Sequence, residues 1–170
     1  MTIAADRPTR AAPSMEDLLL HHQVEGFLVG LQNAIDEHRY LDWLDMFIPE
    51  GRYSVIDQQN RNEHGMFLTY DDGLEARKQR VAYLMGYWKV PRARTLHTVT
   101  NVMVTAASED LVEARSKFTV FRTDRDGFTT FHASGEYFDE FHRVEGGLLL
   151  RNHDVVIDMN VLPDDFTELL

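Results

Sequence analysis

Eight histidines, at positions 21, 22, 38, 64, 97, 132, 142 and 153, are the side chains of this 170-residue sequence best suited to binding a metal or moving a proton near neutral pH. Their spacing supports no metal centre. His21 and His22 are adjacent, which places them about 100° apart around a helix, whereas convergent ligands need an i, i+4 pair on one face. One of the two is expected at solvent and the other at a packed border. Asp139 and His142 offer two arms of a two-histidine, one-carboxylate iron site, but on a strand their spacing of three points them to opposite faces. Cysteine is absent, which removes disulfides, thiolate nucleophiles, cysteine-ligated iron–sulfur clusters and cysteine zinc sites together. No Gly-x-Ser-x-Gly elbow supports a serine nucleophile, and neither glycine-rich phosphate cradle occurs. The expectation is a chain with no catalytic, cofactor-binding or metal-ligating residue of its own.

The remaining residues are patterned for a two-layer fold. Ser14 and Asp17 form a capping-box pair at a helix start. Leu20, Val24, Phe27, Leu28, Leu31 and Ile35 then recur at three- and four-residue spacing, one apolar stripe on a helix. A second short helix is expected through Tyr40, Leu41, Leu44 and Phe47, ended by Pro49 and Gly51. Gly51 to Asp57 reads as a strand and Gln58 to Tyr70 as a loop. Asp71 and Asp72 then place negative charge at the start of a third helix through Leu74, Val81, Leu84 and Met85, which should stop near Trp88 because Pro91 disfavours helix before it.

From Arg94 onward the period changes to two. Val112, Ala114, Ser116, Phe118 and Val120 alternate with Glu113, Arg115, Lys117 and Thr119, a strand with one dry and one wet face. Phe131, Ala133, Gly135, Tyr137 and Phe141 continue the pattern after a turn at Thr123 to Gly127. Gly146 and Gly147 turn the chain into a last strand, with Leu149, Val155, Ile157 and Met159 expected on its inner face. The aromatic residues of these strands suit packing more than a ligand cavity. Helices followed by an antiparallel meander predict an α+β domain, a curved sheet wrapped around N-terminal helices. Residues 1–13 read as a tail or arm, and residues 14–170 as the single domain.

The length suits one core. With 17 basic against 28 acidic residues the net charge is -11, so a phosphate backbone or an anionic membrane would be repelled. No apolar run reaches the roughly 20 residues of a membrane span, and none in the first residues forms a signal-peptide core. The absence of cysteine is compatible with a cytoplasmic location.

One ordered motif is more informative than the composition. Trp88, Pro91, Arg94, His97, Asn101 and Val102 stand in the order Trp, Pro, Arg-x-x-His, Asn-Val, preceded by a helix carrying Arg80 and Val81 and followed by Ala133-Ser134-Gly135-Glu136-Tyr137, Asp139 and Phe141. This arrangement resembles the small, or beta, subunits of Rieske-type aromatic-ring-hydroxylating dioxygenases over nearly the whole length after residue 14. The resemblance implies the cone fold of nuclear transport factor 2 and scytalone dehydratase. It implies a non-catalytic subunit that assembles with a catalytic large (alpha) subunit, as a hetero-hexamer of three plus three. The Rieske 2Fe-2S cluster and the mononuclear iron would reside in that partner. Trp88, Pro91, Arg94, His97, Asn101 and Tyr137 become structural or interface candidates. Arg94, His97 and Asn101 suit bonding to a neighbouring backbone or subunit, and equally suit satisfied polar positions in a core. A second reading keeps the fold and makes the chain a stand-alone dehydratase or isomerase, with His97, Tyr53 and Asp45 as acid–base residues in the cone.

Overall fold

Ser14 opens the first helix as expected. Its hydroxyl accepts the Asp17 N–H at 3.1 Å while the Asp17 carboxylate accepts the Ser14 N–H at 2.9 Å, so both ends of the capping box are closed. The computed structural model describes residues 12–87, 93–159 and 169–170; residues 1–11 of the expected tail and the motif residues Trp88 and Pro91 lie outside them. Helix α1 spans Met15–Asp36 and α2 spans Tyr40–Asp45. Strand β1, Phe47–Asp57, leads through helix α3, Gln58–Glu63, into the short strand β2, Thr69–Asp72, and helix α4, Gly73–Tyr87. Four long strands complete the chain: β3 Arg94–Ala107, β4 Leu111–Thr123, β5 Thr129–Val144 and β6 Gly147–Ile157.

The six strands form one sheet in the order β2-β1-β6-β5-β4-β3, open at both ends. Every neighbouring pair is antiparallel except β1 and β6, which run parallel. A parallel pair needs a long connection, and here the intervening helices and strands supply it. The stripe of α1 is buried as patterned: Val24, Leu28 and Leu31 lose all solvent contact against Val112, Ala114, Phe118, Tyr137 and Phe141 of the sheet. Phe27 meets Phe141 edge to face, ring centres 5.2 Å apart.

Several expectations are corrected. Phe47 and Pro49 belong to β1 rather than α2. The ladder between β1 and β6 skips from Phe47 to Arg52, and the bulge accommodates the proline that would have ended a helix. Arg77, fully buried on α4, donates to the carbonyls of Gly51 and Ile48 within this bulge. The segment 58–70 is not all loop, because the Asp57 carboxylate accepts the Asn60 N–H at 2.8 Å and caps α3. Asp71 and Asp72 pair with β1 instead of starting the third helix, and Asp71 accepts from Arg80. Finally, the inner face of β6 begins with Leu148 and Leu150 rather than Leu149. Phe141 pairs with Leu150 but Glu140 pairs with Asn152, so Arg151 is an extra residue that reverses the phase of the strand.

A similar insertion affects β5. Val120 pairs with Ala133 and Phe121 with Phe131; His132 is the extra residue, and Phe131 is exposed instead of buried.

Candidate functional site

Inward-facing positions of neighbouring strands bring an unusual set of polar groups into the core. Asp139 of β5 and His153 of β6 are direct cross-strand partners. Their side chains are fully buried, with His153 Nδ1 at 2.5 Å from Asp139 Oδ1. Burial pushes the Asp139 carboxyl above its ordinary range, against the opposing pull of His153. On the other side of the core, Asp36 at the end of α1 takes both the backbone N–H of His97, at 2.9 Å, and a bond from its Nδ1, at 2.6 Å. Burial pushes Asp36 up, yet the bonds and charge of His97 outweigh it and hold the carboxyl below its usual value.

Aromatic rings connect these positions. Trp43 meets Tyr53 edge-on at 5.3 Å, Tyr53 stacks on His153 at 5.8 Å, His153 lies 4.8 Å from the Tyr137 ring, and Tyr137 stacks on Phe118 at 4.3 Å. Burial pushes the Tyr53 hydroxyl up to about 12 and raises Tyr137 well above its ordinary value. The carboxylates of Asp139 and Asp36 add to the effect on Tyr137. Beside them, the Tyr137 hydroxyl, Ser116 Oγ, the Gln32 amide, Asp139 Oδ2 and the Nε2 atoms of His153 and His97 are buried without a hydrogen-bond partner. Gln32 lies near the Tyr137 hydroxyl and opposes that rise, though the two do not meet in full bonding geometry. Leu169 and Leu170 are buried in the same core, and the Leu170 N–H donates to the Tyr53 hydroxyl at 3.1 Å.

The outer face of the sheet is graded. At one end Leu96, Phe121 and Phe131 stand side by side across β3, β4 and β5, at 58%, 38% and 53% exposure. The next row is hydroxyl-bearing, Thr98, Thr119 and Ser134, and beyond it lie Lys117 and Glu136. Further across, Arg52 and Ser54 hold Asp154, at 2.7 and 2.6 Å. A cavity of about 290 Å³ opens here beneath α3, where Arg61 lies 3.7 Å over the Phe138 ring between Ile56, Val156 and Phe67.

The sequence candidates separate accordingly. His97, Tyr53 and Tyr137 converge on the interior, whereas Asp45 is exposed because α2 buries Tyr40, Trp43 and Leu44 instead. Arg94 is exposed at the start of β3. Asn101 serves the backbone: its φ of 53° lies in the left-handed region that asparagine tolerates, at the bulge between Thr100 and Met103. His21 Nε2 meets the adjoining carbonyl of Val102 at 3.0 Å while His22 is exposed. His142 faces away from Asp139 as its spacing requires. No group of three metal-ligating side chains occurs among the described residues. Sequence reading missed the pairing of Asp139 with His153 and of Asp36 with His97. The first signal was present in part, since both residues flank one hairpin turn, but the extra residue at Arg151 shifts the register by one.

Residues 32–164 match the model of a family described as "Ring hydroxylating beta subunit". Among solved structures, a chain assigned as the beta subunit of an aromatic-ring-hydroxylating dioxygenase from Novosphingobium aromaticivorans is similar with a TM-score of 0.80 at 21% identity, covering 89% of this chain and 96% of that one. A chain of naphthalene 1,2-dioxygenase, with indole in the active site, gives 0.74 at 20% identity over 91% of this chain and 87% of its own. A protein assigned as a scytalone dehydratase, also from Novosphingobium aromaticivorans, gives 0.64 at 16% identity over 84% and 86%. At such identities the structural likeness shows the cone fold, which oxygenase subunits and small enzymes share. The family match is what separates them: this chain belongs to the ring-hydroxylating beta subunits.

Proposed function

We propose that the chain is the non-catalytic, structural subunit of a multicomponent aromatic-ring-hydroxylating dioxygenase in the degradation of aromatic compounds. It assembles with and stabilises a large subunit, three copies of each. The Rieske cluster and the mononuclear iron belong to that partner; a chain without cysteine lacks the thiolate ligands that half of a Rieske cluster requires. The observation that carries the reading, beside the family itself, is the apolar row Leu96, Phe121 and Phe131. Three large side chains in cross-strand register are left in water across β3, β4 and β5, the first of them on the strand that carries Arg94, His97 and Asn101, and contiguous exposed apolar surface marks an association face. The large subunit is the occupant this reading assigns to it.

Co-expression with the Rieske-motif protein encoded nearest to it tests the proposal. The expected result is a co-purified complex with iron confined to the large chain. A partnerless dimer or trimer would overturn it. In that case the stand-alone dehydratase or isomerase moves forward, favoured by the buried Asp139–His153 pair and the part-buried Asp36–His97 pair, with His97 and Tyr53 retained and Asp45 set aside.

A further inference from the structure

The subunit role makes no use of the interior polar set. A purely structural core gains nothing from buried polar atoms that lack partners, since each forfeits its hydration on folding. Here four such atoms lie along one path, since Ser116 and Tyr137 are direct cross-strand partners and Asp139 and His153 are the next inward pair; Tyr53, whose hydroxyl takes the Leu170 N–H, follows on β1. We propose that the cone interior is a binding site for a small neutral hydroxylated aromatic molecule, a phenol, and that Leu169 and Leu170 fill it in this structure.

The ligand class follows from the groups. A hydroxyl both donates and accepts. With Asp139 ionised, His153 Nδ1–H donates to it and Nε2 offers a lone pair to the phenol O–H. With the proton on Asp139, Nε2 carries a hydrogen and donates to the phenol oxygen. Either state accommodates a hydroxyl, while the Tyr137 and Ser116 hydroxyls, each unpartnered, are available to its remaining lone pair. A carboxylate or ammonium ligand would bring an uncompensated charge into a fully buried site. An aromatic ring suits the walls, because Phe118, Tyr137, His153, Tyr53 and Trp43 form a continuous run of ring contacts. Leu170 reaches this run through the bond from its backbone N–H to Tyr53, and Leu169 is buried in the same core cluster. Their two isobutyl groups occupy about the space of one substituted benzene ring, so truncating them to alanine makes room for the ligand while the backbone N–H of residue 170 can still donate to the Tyr53 hydroxyl.

The test uses 4-fluorophenol, followed by fluorine NMR, titrated into the full chain within its native assembly. Comparing variants of this chain separates the interior from any site on another subunit. The chain carrying Leu169→Ala and Leu170→Ala is expected to bind saturably, at least about tenfold more tightly than the unaltered chain, a factor readily resolved by titration. 4-Fluoroanisole, which cannot donate, should bind more weakly, and Tyr137→Phe or Ser116→Ala should weaken the phenol without loss of fold. Where the double leucine variant fails to fold, the single Leu169→Ala chain takes its place. Absence of saturable binding, equal binding of the anisole, or indifference to both hydroxyl deletions would overturn the proposal while leaving the subunit reading intact.

Discussion

His153 and Asp154 are consecutive residues of β6, and each joins an oppositely charged or ionisable partner on a neighbouring strand, yet the two pairs occupy different solvents. His153 meets Asp139 at 2.5 Å with both side chains fully buried; Asp154 meets Arg52 at 2.7 Å with about a third of each side chain exposed. Alternation along the strand puts one pair inside and the other outside, and the extra residue at Arg151 decides which is dry. Inside, desolvation raises Asp139. Outside, the bonds of Asp154 raise the Arg52 guanidinium despite its partial burial. One strand therefore carries a pair whose value depends on completeness and another whose value water limits.

Breaking the inner pair should have the largest effect. Asp139→Ala leaves His153 buried with no partner at either nitrogen, and a loss of about 3–5 kcal/mol is expected, read from urea unfolding. Changing both residues to leucine should cost less than Asp139→Ala alone, because no polar group is then stranded. A single-variant loss below about 1 kcal/mol, the range of exposed pairs, would show that the interior is not dry.

Asp36 sharpens the same contrast through pH. Its carboxyl is held below the ordinary value by His97, so it contributes stability that is present above the unfolded-state pKa and lost as pH falls through its lowered folded value. Asp36→Asn should cost about 1–3 kcal/mol at neutral pH. The gap should close on acidification below about pH 4, where the unfolded carboxyl takes up its proton. A gap that stays constant across that range would remove the charge from the account of this contact.

Much of this architecture could be read from sequence because its signals were local. The capping box, the stripe of α1 and the alternation of β4 each depend on residues within a turn or two of one another, and each is found as patterned. What escaped depends on register. The extra residues at His132 and Arg151 reverse the inward phase of β5 and β6, turning Phe131 out and Leu148 and Leu150 in. A bulge is set by the pairing of two strands, so a single strand's periodicity does not reveal it. The Asp36–His97 contact spans 61 residues, beyond any local spacing. Asn101 lay in the motif, but its conformational reason, a left-handed residue in a bulge, emerged only with the backbone.

The outer pair should respond weakly. Arg52→Ala is expected to cost no more than about 1 kcal/mol, and less in added salt, which screens exposed charges. Ser54 still donates to Asp154 at 2.6 Å, so the carboxylate keeps one partner. A cost equal to that of Asp139→Ala would erase the distinction between the two faces.

The smallest effect on the isolated fold should accompany the largest effect on assembly. Leu96 and Phe131 are more than half exposed, so Leu96→Ser with Phe131→Ser should shift the unfolding free energy of the chain by no more than about 0.5 kcal/mol for each site. If their row is covered by the large subunit, the same change places hydroxyl groups in an apolar interface and removes its anchors. Co-purification with the large chain should then fall sharply while the circular dichroism and urea midpoint of this chain remain unchanged. Full retention of the complex would move the interface off this row, and would leave exposed aromatic surface on a sheet whose other outward positions are largely polar.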